Sequence, residues 1–207
     1  MVATVSETSP DPAGGASARP VPTPEHAASA IGYLEVEHRQ IRELLSTLPR
    51  GAGADRSGRQ LVDELVKAVS RHLFIEEQVL YPKVAEVVEL GPGRAERRLR
   101  EHRRLKRQLA RLQRHPRPGS VWFGLSVRQL SRRLEAHERA EETETFPALH
   151  ARVGDAELAA MADRLGGART LAPTRPHRWA PQRPPANRLV GPLLGLWDRL
   201  TDLVSRH

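Results

Sequence analysis

Apolar positions recur at helical spacing through four long stretches of the chain. The first begins near Glu25 and aligns Ile31, Leu34, His38, Ile41, Leu45 and Leu48 before Pro49 and Gly51-Ala52-Gly53 end it. The second aligns Leu61, Leu65, Val69, His72, Glu76, Val79 and Leu80, with a kink expected at Tyr81-Pro82 and an end at Gly91-Pro92-Gly93. The third carries Leu99, His102, Leu105, Leu109 and Leu112 and stops at His115-Pro116. The fourth runs from about Ser120 to Val153 through Phe123, Val127, Leu130, Leu134, His137, Glu141 and Ala148, with Pro147 near its end. Segments of roughly 24 to 30 residues make helices about 36–45 Å long. Short Pro/Gly connections between such helices favour antiparallel neighbours. The pattern therefore predicts an all-α protein, an antiparallel up-down-up-down four-helix bundle over residues 25–153.

The flanks differ. Residues 1–24 are rich in Pro, Ala, Ser, Thr and Gly and read as a disordered leader. Residues 154–186 read as a short helix, about Asp155 to Leu165, followed by a Pro-rich strap beginning at Gly166-Gly167. Residues 187–207 read as an amphipathic helix, with Leu189, Leu193, Leu196, Trp197 and Leu200 on one face. That helix would pack on the bundle or dock a protein partner. No apolar run approaches the ~18 residues of a membrane span, and the N-terminus lacks the pattern of a signal peptide. A cytoplasmic location is the expectation.

Composition narrows the chemistry. The chain has no cysteine, which removes disulfides, thiolate metal sites and cysteine nucleophiles. Any metal must be held by nitrogen and oxygen. The formal net charge is +8, and basic residues surround the third helix everywhere except on its apolar stripe. Such a surface could attract nucleic acid. No stacking aromatics interleave with these arginines and no DNA-binding motif appears, so a solvated face is preferred over nucleic-acid binding.

An internal repeat points to a site. His72-Leu-Phe-Ile-Glu76-Glu77 is followed by Tyr81-Pro82, and His137-Glu-Arg-Ala-Glu141-Glu142 by Phe146-Pro147, at the same spacing. Glu37-His38-Arg39 likewise matches Glu101-His102-Arg103. The first pair of motifs lies 65 residues apart and the second 64, so helices one and two recur in outline as helices three and four. His38, His72, His102 and His137 each sit on the apolar stripe of their own helix. Glu76 and Glu141 follow two of them by four residues, a rotation of about 400°, so each His/Glu pair faces nearly one way. A carboxylate on a core-facing stripe is costly unless a cation compensates it. One such histidine would be an ordinary core residue; six matched positions indicate a metal. Imidazole and carboxylate ligands fit iron, manganese or zinc. His26, His115, His150, His177 and His207 lie outside the pattern.

With these residues in order, the chain resembles the hemerythrin-like proteins, or HHE cation-binding domains. The resemblance implies two iron ions bridged by carboxylates and an oxo or hydroxo group, with manganese or zinc as lesser alternatives. It makes Glu76 and Glu141 the bridges and the four histidines terminal ligands. Oxygen-carrying hemerythrins have a further histidine where this chain has Lys106, and an aspartate five residues after the helix-four histidine. Here Glu141 stands at four and Glu142 at five, and Glu141 is preferred because five residues rotate about 140° off the histidine's direction. Glu77 and Glu142 would orient ligating imidazoles or face solvent. Lys106 is expected to reach solvent.

A centre lacking that histidine has more open positions. The expectation is therefore a protein that binds and reacts with peroxide, dioxygen or nitric oxide, with catalase-like turnover one form of this. A redox-sensing or iron-binding module without turnover is the alternative, and a basic nucleic-acid-associated protein the lesser one.

Overall fold

The computed structural model describes residues 24, 27–48, 56–114 and 120–173. Residues 1–23 of the expected leader, the strap from residue 174, the C-terminal amphipathic segment and His26, His115, His177 and His207 lie outside the described residues. The elements in order are α1 (Ala30–Thr47), α2 (Arg56–Ile75), a first π segment (Glu76–Leu80), α3 (Tyr81–Val87), α4 (Gly91–Arg114), α5 (Val121–Ala140), a second π segment (Glu141–Thr145), α6 (Phe146–His150) and α7 (Asp155–Leu171). There is no strand among the described residues. No helix among them is long and apolar enough to cross a membrane.

α2, the first π segment and α3 follow one another without a break, as do α5, the second π segment and α6. α1 packs on α2 and α5, and α4 packs on α2 and α5, which closes the antiparallel up-down-up-down bundle. α1 starts at Ala30, later than the apolar pattern suggests, because the Ser29 hydroxyl accepts a hydrogen bond from the Gly32 N–H and caps the helix there. Gly91-Pro92-Gly93, expected as a terminator, is instead the first turn of α4, where proline's missing N–H costs nothing. Gly91 is needed at this turn: a Cβ there would lie 2.2 Å from the Val84 carbonyl oxygen. Leu90, just before it, takes up the left-handed φ of 55°.

Helical structure runs on through the prolines of the two repeated motifs, each preceded by a π segment. The backbone widens by one residue, so that the Tyr81 N–H bonds to the Glu76 carbonyl and the Phe146 N–H to the Glu141 carbonyl. A proline in a helix cannot donate to the carbonyl four residues back and its ring crowds that carbonyl. A π turn one step earlier relieves the crowding, and such turns recur at functional sites.

α7 corrects a second expectation. It continues through Gly166-Gly167 to Leu171 instead of yielding to a strap after Leu165. Leu158, Met161, Ala162 and Leu165 are buried, and α7 lies along α1, α2 and the first π segment. That packing outweighs the helix cost of two glycines, about 1 kcal/mol each.

The apolar interior falls into two clusters. One gathers Leu34, Ile75, Tyr81, Phe146 and Leu149 with α7; the other gathers Ile41, Leu65, Leu73, Leu109 and Leu134. Between them lies a fully buried polar layer that contains His38, His72, Glu76, His102, His137 and Glu141.

Candidate metal centre

All six residues singled out by the stripe pattern meet in this layer. His38 comes from α1, His72 from α2, His102 from α4 and His137 from α5, while Glu76 and Glu141 open the two π segments. The donor atoms form two groups, His38, His72, Glu76 and Glu141 in one, and Glu76, His102 and His137 in the other. Glu76 belongs to both. Its Oε1 lies 3.0 Å from Nε2 of His72, and its Oε2 lies 3.2 Å from Nε2 of His102 and 3.6 Å from Nε2 of His137. Glu141 reaches both sides through one oxygen, with Oε2 3.4 Å from Nε2 of His38 and 3.6 Å from Nε2 of His137.

A metal fits this donor set. Nε2 of His38, Nε2 of His72, both carboxylate oxygens of Glu76 and Oε2 of Glu141 are buried and without a hydrogen bond. Buried polar atoms are rarely left so. All of them converge on the centre of the layer, as ligand atoms around cations would.

Electrostatics agree. Burial alone would lower the pKa of His38 and His137, yet contacts with Glu141 and Glu76 push His38 up to about 9 and His137 up to about 10. His72 is raised well above its ordinary value, its desolvation outweighed by Glu76 and Glu37. Glu76 is held well below the carboxylate range, the cost of burial being overcome by His72, His102, His137 and His38. Without a metal, protons on His38, His72 and His137 supply the positive charge that the buried carboxylates demand.

The outer ring nitrogens are each paired with a carboxylate. Nδ1 of His38 lies 2.9 Å from Glu142 Oε1, and Nδ1 of His102 lies 2.9 Å from Glu77 Oε1. Nδ1 of His72 lies 3.1 Å from Glu37 Oε2, and Nδ1 of His137 lies 3.3 Å from Glu101 Oε2. An Nδ1–H that donates to a carboxylate fixes the ring and leaves Nε2 facing inward. Glu77 and Glu142 therefore orient imidazoles and do not simply face solvent. Glu37 and Glu101 were not among the candidate residues, although the repeated Glu-His-Arg motif marked them.

Lys106 does not reach solvent as expected. It is buried, and Nζ donates to Glu77 Oε2 at 2.8 Å, which turns the charge away from the centre. A long side chain that finds a buried carboxylate avoids the cost of leaving that carboxylate unpaired. Arg42 plays the matching part in the other half, with Nη1 3.3 Å from Glu142 Oε1.

Tyr81 is the residue the apolar pattern did not assign to the site. Its hydroxyl donates to Glu141 Oε1 at 2.5 Å and lies 3.0 Å from Nε2 of His102. The repeat places Phe146 in the equivalent position, where its ring stacks on His38 with centroids 5.8 Å apart. The π turn puts residue i+5 on the same face as residue i, a register that a uniform 3.6-residue period hides. His150 is exposed and takes no part.

The family model described as Hemerythrin HHE cation binding domain matches residues 29–121, which span His38, His72, Glu76 and His102. Over residues 29–121 the chain matches the hemerythrin HHE cation-binding domain, and its helical fold and ligand order are similar to those of hemerythrin-like proteins. Among its relatives is an uncharacterized hemerythrin-like protein of Schizosaccharomyces pombe, 26% identical over 171 residues, which covers 82% of this chain and 83% of the relative. Among solved structures, a hemerythrin HHE cation binding domain-containing protein from Mycobacterium kansasii superposes with a TM-score of 0.58 at 26% identity. The match covers 69% of this chain and 88% of that one.

Proposed function

We propose that the chain holds two iron ions, with His38, His72, Glu76, His102, His137 and Glu141 as ligands, and that the pair binds and reacts with peroxide, dioxygen or nitric oxide. The observation that carries this reading is Glu76, whose two carboxylate oxygens, neither of them in a hydrogen bond, each face a different histidine pair in a fully buried layer. Glu76 would bridge, and Glu141 would join it through Oε2.

Bound iron would supply electrons and an open coordination position for a small ligand. The chain's own residues do the rest. The four Nδ1 contacts hold the imidazoles in place before any ligand arrives. The apolar clusters on either side keep bulk water out. The Tyr81 hydroxyl holds a proton beside Glu141 and His102, on the side of the centre served by α4 and α5. Phe146 offers none on the other side, so the two halves of the site are chemically unequal. Lys106 is engaged with Glu77 and adds no ligand there, which leaves that side with two imidazoles and room for a reacting molecule.

Iron loading under reducing conditions tests the reading. About two irons per chain are expected, together with near-ultraviolet absorption that changes when peroxide is added. The Glu76→Ala protein should lose most of its iron. Wild-type protein that binds no iron would overturn the proposal. Iron-loaded wild type with no peroxide consumption would favour sensing over turnover.

A further inference from the structure

The duplicated halves carry grooves of similar size, but only one of them reaches a histidine of the centre, and the difference bears on how a ligand gets in. A groove of about 300 Å³ runs between α4 and α5, lined by Glu101, Arg104, Leu105, Arg133, Ala136 and His137. Its counterpart between α1 and α2, about 270 Å³, is lined by the repeat-equivalent Glu37, Gln40, Ile41 and Ala68, together with Arg71 and Arg169. His137 forms part of the first groove, whereas its equivalent His72 does not line the second.

One substitution within the repeat and the position of α7 account for this. The residue preceding the histidine is Ala136 in α5 but Arg71 in α2, so a methyl group stands where the other half has a guanidinium. α7 then packs along α1 and α2, and Arg169 places Nε 3.3 Å from Glu37 Oε1. The remaining differences concern charge. Gln40 and Ala68 of the α1/α2 groove become Arg104 and Arg133 in the α4/α5 groove. Arg133 is bonded to the neutral Gln108 side chain, and Arg104 makes no ion pair among the described residues. The acidic residue at the floor, Glu101, is matched by Arg98 at 2.9 Å. The groove thus carries net positive charge above a histidine of the centre.

We propose that the α4/α5 groove is the entry path to the centre, selective for small monoanionic ligands, and that α7 and Arg71 close the equivalent path on the other side. This rests on the two-iron reading above. Positive charge beside a narrow opening raises the local concentration of anions and their rate of association, in a way that salt weakens. Ala136 sets the width, and Arg104 and Arg133 set the charge preference.

Azide association with the iron-loaded protein, followed by absorbance in a stopped-flow instrument, tests this without relying on turnover. Iron content is measured first on every variant. Ala136→Trp should keep its iron and bind azide at least tenfold more slowly, with Ala136→Met as a milder block should the tryptophan variant load poorly. Gln40→Trp, in the α1/α2 groove, should leave the rate unchanged. The paired change Arg104→Gln and Arg133→Gln should slow azide several-fold and flatten its salt dependence, while neutral nitric oxide keeps its wild-type rate. An iron-loaded Ala136 variant with the wild-type azide rate would overturn the path. Unchanged azide kinetics in the arginine pair would overturn the charge preference. A wild type that holds no iron would sink the two-iron reading itself, a separate result.

Discussion

Glu77 holds two partners at once: its Oε1 lies 2.9 Å from Nδ1 of His102 and its Oε2 accepts from Lys106 Nζ at 2.8 Å. The carboxylate next in sequence to Glu76, the proposed bridge, therefore works outward, bonding to the imidazole of a facing helix. Glu142 does the same for His38, with Arg42 in place of the lysine. Glu77→Gln should weaken metal binding by about 10–100-fold while leaving all six proposed ligands intact. Competition against a chromophoric chelator measures this directly, and wild-type affinity in the variant would refute the orienting role.

The metal-free protein should lose stability as pH rises. His38 at about 9 and His137 at about 10 both stand above the ordinary 6.5. A histidine raised on folding contributes its full stabilisation below 6.5, and loses it as pH climbs through the folded value. Glu101 acts at the other end. Burial would raise it, but hydrogen bonds from His137 and Arg98 hold it down to about 2, so its contribution is complete above 4.5 and lost on falling towards 2. Thermal midpoints of the metal-free protein should therefore decline from pH 6.5 to 10. Metal-loaded protein should decline less, because binding has already displaced the histidine protons. A metal-free midpoint that stays level to pH 10 would contradict the assignment.

Glu138 breaks the repeat inside the core. It occupies the position of the buried Leu73, and its pKa is raised by burial, against the pull of His38, His72 and Arg42. Arg42 Nη1, 2.7 Å from Glu138 Oε2, is the cation that compensates it. Arg42→Met should cost about 1–3 kcal/mol by leaving a buried acceptor unpaired. Adding Glu138→Leu should recover most of that loss. Urea unfolding of the two single variants and the double variant measures the coupling, and simple additivity would count against it.

Gly166 and Gly167 offer a gain. Both lie within α7, and a Cβ at either would meet nothing within 4 Å. Replacing each with alanine should stabilise the helix by about 0.5–1 kcal/mol. A lower thermal midpoint in either variant would show that the glycines serve some other purpose.

Much of this protein is determined by its sequence. Four apolar stripes of helical period require four long helices, and short connections require an antiparallel bundle. Histidines and glutamates on those stripes, repeated at matched spacing, had to meet in the core. Burial leaves such carboxylates no favourable state without compensating positive charge. Local pattern also carried Glu37 and Glu101, through the repeated Glu-His-Arg motif, though only the fold gives that motif a meaning.

Tertiary structure decided the rest, because the remaining features depend on contacts between helices far apart in the chain. The π turns shift the register so that Tyr81 enters the centre. Glu77 draws Lys106 inward, against the tendency of a lysine to seek water. α7 crosses its glycines because packing outweighs propensity, and in doing so it lies along α1 and α2, on one side of the duplicated site.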